Sequence, residues 1–496
     1  MQNSQQSGIK RIVVAGGGTA GWMTACALVS QMGHCVEVVL VESANIPTVG
    51  VGEATIPTMQ SFHLLLQLSE QDFIRATNAT FKLGIQFENW GEVGKDYFHS
   101  FGDTGHEFWA GQFQHYWLRE TLSGKHTAYA DYSAEAQAAF ANKFAITKNP
   151  RLGYAYHLDA GLYAQYLRKI SESRGVRRIE GDINHVKLSP AGDIESLLLE
   201  QGDEIKGDLF IDCTGFRGLL INKALHSGYE DWSDYFLCDR AVAVQTETVQ
   251  DPVPYTRSIA HESGWQWRIP LQNRVGNGLV FSSKYLSDEQ ARSLLLSNIE
   301  GECINEPRFI GFQPGRRKEI WRKNCVAIGL SSGFIEPLES TSIHLVSSAV
   351  IRLMRMIPMG SPKQLEIDEF NRQSRMELEG LRDFILLHYK ATGRNDSEFW
   401  RYCQAMDIPD SLRTRMEIYR DSGRIYWDSH ELFTVNSWNQ VLLGQGVMPK
   451  HYHPAADHIP DAEFSAMMQN YRKSIAGFVD KMPSHKQFIS QYCSTE

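Results

Sequence analysis

Three patterns in this 496-residue sequence place reactive or ligand-binding groups where chemistry can use them. The first is a glycine turn, Gly16-Gly17-Gly18-Thr19-Ala20-Gly21, between the β-branched run Ile12-Val13-Val14 and a helical stretch at 22–32. A second apolar run, 36–41, ends in Glu42, 21 residues beyond the third glycine of the turn's spaced set. Strand, turn, helix, strand and acid in this register form the full dinucleotide fingerprint. Gly16 permits the tight turn, Gly18 lets a pyrophosphate approach the backbone, and Gly21 lets helix and strand pack closely. Amides opening the helix then face phosphate, and Glu42 can accept hydrogen bonds from ribose hydroxyls. A turn with no ligand is the plain alternative; a bound adenine dinucleotide is the expectation.

The second pattern is Lys82, a cation between Phe81 and Leu83 and before Gly84. Most such lysines carry the ammonium out to water, whereas a fixed one is a nitrogen nucleophile or a hydrogen-bond donor. Glu339, in Pro337-Leu338-Glu339-Ser340, reads on its own as part of a helix start capped through Ser340 or Thr341. In the third pattern Trp265 and Trp267 alternate with Gln266 and Arg268, a strand period that puts both indoles on one face. They serve there as core or as pocket wall. His451 and His453 have no carboxylate or cysteine cluster beside them, so no metal is expected. Arg316-Arg317-Lys318 reads as a solvated turn, and Ser331-Ser332-Gly333 lacks the G-x-S-x-G elbow of an α/β-hydrolase.

These residues need elements to hold them. The strand-like runs 208–213 and 325–330 return towards the nucleotide turn after long insertions, which predicts an α/β domain interrupted by a substrate-facing layer. Apolar residues at helical spacing predict a helix over 363–389 and another over 461–481. The expected division is a domain over 1–360, with interleaved substrate-facing segments at about 84–150 and 236–312, and a mainly helical part over 361–496. Length alone suggests about three domain-sized units. With 49 Lys and Arg against 58 Asp and Glu the formal charge is −9, which argues against a nucleic-acid binder. Hydrophobic residues at 42% argue against wholesale disorder. The absence of a signal-like start, of a long apolar run and of any CxxC pair among the 8 cysteines leads us to expect a soluble cytoplasmic protein.

Several separated motifs together resemble the flavin-dependent halogenases of the tryptophan-halogenase type. They are the glycine turn, Gly50-Val51-Gly52-Glu53-Ala54-Thr55-Ile56-Pro57, Phe81-Lys82-Leu83-Gly84, Tyr156-His157-Leu158-Asp159, Leu237-Cys238-Asp239-Arg240-Ala241, Trp265-Gln266-Trp267-Arg268-Ile269-Pro270 and Pro337-Leu338-Glu339-Ser340-Thr341-Ser342. The resemblance implies an FAD-binding Rossmann-like fold (monooxygenase-like, GR2-type) with an inserted substrate-facing sheet and a mainly helical C-terminal part. It implies FAD held by Gly16, Gly18, Gly21, Glu42, Ala54 and Gly329. It gives Lys82 the task of meeting hypohalous acid made at the flavin, as haloamine or as hydrogen-bond donor. Glu339 then orients the halogenating species and takes the proton lost as the ring regains aromaticity. Backbone amides of Thr341 and Ser342 at a helix start suit chloride or bromide, with a serine where the family usually has glycine nearby. Trp265 and Trp267 stand beside the route from flavin to substrate.

By the same resemblance His99 and Phe101 are expected to sandwich an indole from one side, with Trp267 near the other. The tyrosine pair with which tryptophan-specific members grip the amino acid is replaced here by Trp438 and Asn439. A site that lacks partners for a zwitterion discriminates against it, so indole or an indole-like aromatic is the expected substrate. Expected requirements are reduced FAD from a separate flavin reductase, dioxygen, and chloride or bromide. A small aromatic is the expected partner, without nucleic acid or membrane; a homodimer is left open. The rivals are an FAD monooxygenase that hydroxylates an aromatic and a non-catalytic flavoprotein.

Overall fold

The computed structural model describes residues 8–45, 52–106, 111–125, 127–358, 360 and 362–493. The chain divides into two compact units, each assembled from three separate segments. The first unit takes Met1–Ala79, Leu158–Asp234 and Gly311–Leu378, and the second Thr80–His157, Tyr235–Ile310 and Glu379–Glu496. Almost all of the expected inserted segments fall in the second unit. The C-terminal helices do not form a unit of their own. Helix Gln364–Lys390 explains why: its Asn371 accepts from the backbones of Ile320 and Trp321 in the first unit, while its Phe384 and His388 lie among aromatic rings of the second.

The first unit centres on a six-stranded sheet ordered Trp321–Arg322, Cys325–Ala327, Leu209–Asp212, Arg11–Ala15, Glu37–Glu42 and Arg177–Glu180. All neighbours are parallel except the first pair. The inner strands are unbroken apolar runs because both faces are covered, one of them by the packed helices Thr19–Met32 and Ala160–Ser173. Arg316 and Arg317, expected in a solvated turn, are instead buried on strand Gly315–Arg317. Arg316 pairs with Glu230 at 2.5 Å, and Arg317 stacks 5.0 Å from the Tyr229 ring and donates to the Ser331 carbonyl at 3.2 Å.

The second unit is built on a seven-stranded sheet ordered Arg308–Gly311, Arg240–Glu247, Arg274–Phe281, Gly264–Pro270, Thr256–His261, Gly84–Glu88 and Asp96–Ser100. Strand Gly264–Pro270 carries the tryptophan pair; Trp267 lies across from Gly278, where a Cβ would meet the indole at 2.0 Å. Strand Thr80–Lys82 pairs antiparallel with Ala155–Asp159, Thr80 opposite His157 and Lys82 opposite Ala155. Among the described residues no helix is long and apolar enough to cross a membrane. Nor does any group of three or more His, Cys, Asp or Glu offer a metal site.

Candidate functional site

In the first unit the glycine turn forms a cradle. Gly16 has φ +111°, and a Cβ there would lie 2.3 Å from the Cys213 carbonyl oxygen; a Cβ on Gly21 would lie 1.8 Å from the Gly16 carbonyl oxygen. Gly18 differs: it is the N-cap of helix Thr19–Met32, and no described atom comes within 4 Å of where its Cβ would stand. That helix start has no side-chain cap and no acid in its first turn, so its leading amides remain available to an anion. An uncapped positive helix end behind open space fits a dinucleotide pyrophosphate.

Glu42 borders the cradle through partners that sequence reasoning missed. One carboxylate oxygen pairs with Arg178 and lies 3.4 Å from Arg168; the other accepts from the Trp22 indole N–H at 3.2 Å. A Cβ on Gly17 would fall 1.7 Å from that second oxygen, so the acid, not the ligand, requires this glycine. Gly329, at φ +76°, follows strand Cys325–Ala327, and its Cβ would press within 2.9 Å of the Ala20 side chain. Ala54 is buried in strand Gly52–Ala54, while Gly50 and Val51 lie outside the described residues.

Glu339, also in the first unit, is fully buried in the turn before helix Ser342–Met356. Its neighbour Ser340 has φ +60°, a left-handed conformation that costs a non-glycine residue about 1–2 kcal/mol. Thr341 is the helix N-cap, but its side chain makes no capping hydrogen bond. The helix therefore presents its first amides, from Ser342 onward, without a side-chain cap and with no acid in the first turn, an arrangement suited to an anion.

In the second unit Lys82 is completely buried rather than carried to solvent, and its ammonium lies 4.9 Å from the centroid of the Phe101 ring. The strand is fastened on each side of the lysine. Thr80 Oγ1 donates to the Pro270 carbonyl at 2.7 Å, and the Leu83 amide donates to the Pro254 carbonyl at 2.7 Å. The Phe101 amide in turn donates to the Leu83 carbonyl at 2.9 Å, which sets the ring beside the ammonium.

The aromatic residues expected at the substrate fall into two groups. Trp265 and Trp267 share a strand face, their ring centroids 6.1 Å apart. His99 is 5.8 Å from Phe384 and 6.1 Å from Phe433, which stack on each other at 3.7 Å, and Trp438 meets Phe384 edge-on at 5.0 Å. Trp438 is buried, with the Arg415 guanidinium 4.3 Å from its ring and itself clamped by Glu431. Asn439 Oδ1 accepts from the Tyr419 hydroxyl at 2.7 Å. Phe384 and Phe433 had no sequence signal beyond ordinary core character.

Buried titratable groups give the fold a pH dependence. Burial pushes His63 down to about 3 and His115 and His485 down to about 4, and it holds His157, near Lys82, well below the usual range. Each takes a proton on unfolding as pH falls below 6.5, so the stability they confer is full above that value and is lost towards pH 4. Burial also raises Glu53 and Glu135 to about 7, which acts oppositely between 4.5 and 7. The histidines outnumber the two carboxyls, so the net effect is a loss of stability as pH falls through this range. We expect the Tm of flavin-free protein to fall from pH 6.5 to 5; a level or rising Tm in scanning calorimetry would contradict this.

The model of the family described as tryptophan halogenase matches residues 11–461. A 7-chloro-L-tryptophan 6-halogenase from Kutzneria sp. (strain 744) is 35% identical over 97% of this chain and 99% of its own. The solved structure of a flavin-dependent halogenase from Xanthomonas campestris superposes with a TM-score of 0.97 at 49% identity, covering 99% of both chains. One from Brevundimonas sp. BAL3 gives 0.94 at 44% identity, over 98% of this chain and 99% of the other. Nothing in these likenesses favours a hydroxylase. With the glycine cradle, the buried lysine and whole-length likeness in agreement, the chain belongs to the tryptophan halogenase family and is a flavin-dependent halogenase.

Proposed function

We propose that this enzyme installs chlorine or bromine on an electron-rich aromatic, indole or an indole derivative, by way of hypohalous acid delivered to Lys82. The observation that carries this reading is the Lys82 ammonium, sealed from water over the Phe101 ring. When bound, FAD reduced by a separate reductase supplies, with dioxygen, the oxidising power that turns halide into hypohalous acid. The chain's own share is placement. Gly16, Gly18, Gly21, Glu42, Ala54 and Gly329 hold the cofactor, and the amides at Thr341 and Ser342 hold halide. Lys82 presents the electrophilic halogen, Glu339 accepts the proton released by the arene, and His99, Phe101, Trp265 and Trp267 wall the ring. The test is a panel of small aromatics given reductase, FAD and either halide, with products identified by mass spectrometry. Halide-independent hydroxylation across the panel would overturn the proposal.

Substrate choice follows from Trp438 and Asn439. Stacking against aromatic walls contributes about 0.5–1.5 kcal/mol per contact for any flat bicycle. A buried polar group without a partner costs about 1–3 kcal/mol, and a zwitterion brings two charges. The Trp438 indole N–H, buried without a hydrogen-bond partner among the described residues, is a neutral donor and cannot neutralise a carboxylate. Indole is therefore expected to exceed free tryptophan in kcat/KM by about tenfold, with halogen at the ring's most electron-rich carbon. Equal concentrations in competition yielding mainly halotryptophan would refute it.

A further inference from the structure

Among the described residues the lysine strand has a strand partner on one side only, the strand Ala155–Asp159. Its other side is met by a helix from far along the chain. Phe81, the residue before Lys82, donates its backbone N–H to His485 Nε2 at 3.1 Å, and the opposite nitrogen of that imidazole lies 2.8 Å from the Pro252 carbonyl oxygen. A carbonyl accepts only, so Nδ1 carries the proton and Nε2 is the acceptor. The neutral ring thus bridges Phe81 to the segment that also receives the Leu83 amide at Pro254. His485 is fully buried, and burial keeps it neutral above about pH 4, the state in which Nε2 can accept.

The same helix, His485–Tyr492, grips the Phe81 side chain. Phe488 and Tyr492 set their rings edge-on 5.3 and 5.9 Å from that of Phe81, which also stacks on Phe144 at 4.2 Å. Positions 485, 488 and 492 share one helix face. The helix is itself anchored by a capping box of Ser484 and Gln487 and by the His485 amide on the Asn142 carbonyl at 2.9 Å. A second histidine answers it across the strand pair. Thr80 spends its only proton on Pro270, so His157 Nδ1–H must donate to Thr80 Oγ1 at 2.9 Å, and His157 Nε2 accepts from Thr256 Oγ1 at 2.9 Å.

We propose that helix His485–Tyr492 is a positioning element for Lys82, and that His485 sets where the lysine nitrogen stands by fixing the backbone of Phe81. The proposal rests on the reading that Lys82 passes the halogen to the arene. Displacements of about 1 Å in a reacting group can lower rate by about 100-fold, and His485 holds the backbone of the residue next to Lys82.

The experiment compares His485→Leu, His485→Gln and Lys82→Ala in the full-length protein, with a flavin reductase, bromide and indole. Four quantities are read: thermal unfolding, flavin affinity, hydrogen exchange of the peptide containing Phe81, and bromoindole formed per flavin oxidised, with escaping hypobromous acid caught by a scavenging dye. For His485→Leu we expect unchanged flavin affinity, faster exchange at Phe81, and coupling lowered about 10- to 100-fold, with the missing oxidant found in the dye. His485→Gln, whose amide has both an acceptor and a donor, should recover most of the coupling. A folded His485→Leu with faster exchange at Phe81 but coupling within about twofold of wild type overturns the proposal. Should that variant fail to fold, His485→Asn, polar but too short to reach both partners, is judged by the same thresholds. Wild-type coupling in Lys82→Ala would overturn the relay reading itself, and with it the reason for positioning the lysine.

Discussion

Lys82→Ala is expected to retain wild-type flavin affinity and halide-dependent flavin oxidation, yet to form halogenated product at a rate lower by on the order of 1,000-fold, about 4 kcal/mol in activation free energy. Lys82 belongs to the second unit and the glycine cradle to the first, so the substitution leaves the cradle's residues unaltered. The loss is chemical: the substitution removes the nitrogen that lies over Phe101. Lys82→Met separates this from packing, because it keeps most of the volume and removes the nitrogen. Both variants should be inactive, with hypohalous acid escaping to solution. Product at wild-type rate from either, measured under saturating reduced flavin, would remove Lys82 from the mechanism.

Gly18→Val should be as well folded as wild type and bind FAD about 100-fold more weakly, a loss of about 2.7 kcal/mol. The two halves of this expectation come from one observation. Gly18 has φ −74° and ψ −175°, which valine adopts readily, and no described atom lies within 4 Å of its Cβ position. The branched side chain would instead fill the space before the helix amides. Gly21→Ala makes the contrast: its Cβ would stand 1.8 Å from the Gly16 carbonyl oxygen, so the flavin-free protein itself should lose stability. Fluorescence titration and thermal unfolding of the flavin-free forms read the two effects apart, and full FAD affinity in Gly18→Val would contradict the cradle assignment.

The glycine cradle was legible because its determinants are local. Strand, turn, helix and acid fall within residues 11–42, and their spacing alone places glycines against a helix start. The long C-terminal helices were legible for the same reason: apolar periodicity predicted 363–389 and 461–481, against Gln364–Lys390 and Asp461–Asp480. What stayed hidden depends on partners far away in sequence. Arg316 and Arg317 looked like surface charge because Glu230 and Tyr229, which make their burial tolerable, lie some eighty-five residues earlier. The burial of Lys82 was equally unreadable, since the ring beside it, Phe101, and the Pro254 and Pro270 carbonyls that fasten its neighbours Leu83 and Thr80 lie elsewhere in the chain. His485 is separated from Phe81 by 404 positions, and no local pattern marks it.

The parallel pairing of Arg11–Ala15 with Leu209–Asp212 has a kinetic consequence. Arg11 and Asp208, joined by a backbone-to-carboxylate hydrogen bond, are 197 positions apart, and the next strand, Cys325–Ala327, enters only after a further long excursion. Loop closure of this size must precede any reward from pairing. Until the middle strand arrives, the turn after Ala15 lacks the Cys213 carbonyl against which Gly16 is folded. The glycine cradle should thus be among the last features to mature in refolding. Recovery of FAD binding after dilution from denaturant should trail the return of helical circular dichroism, and the half-built sheet, with its apolar strand edges exposed, should be the species that aggregates.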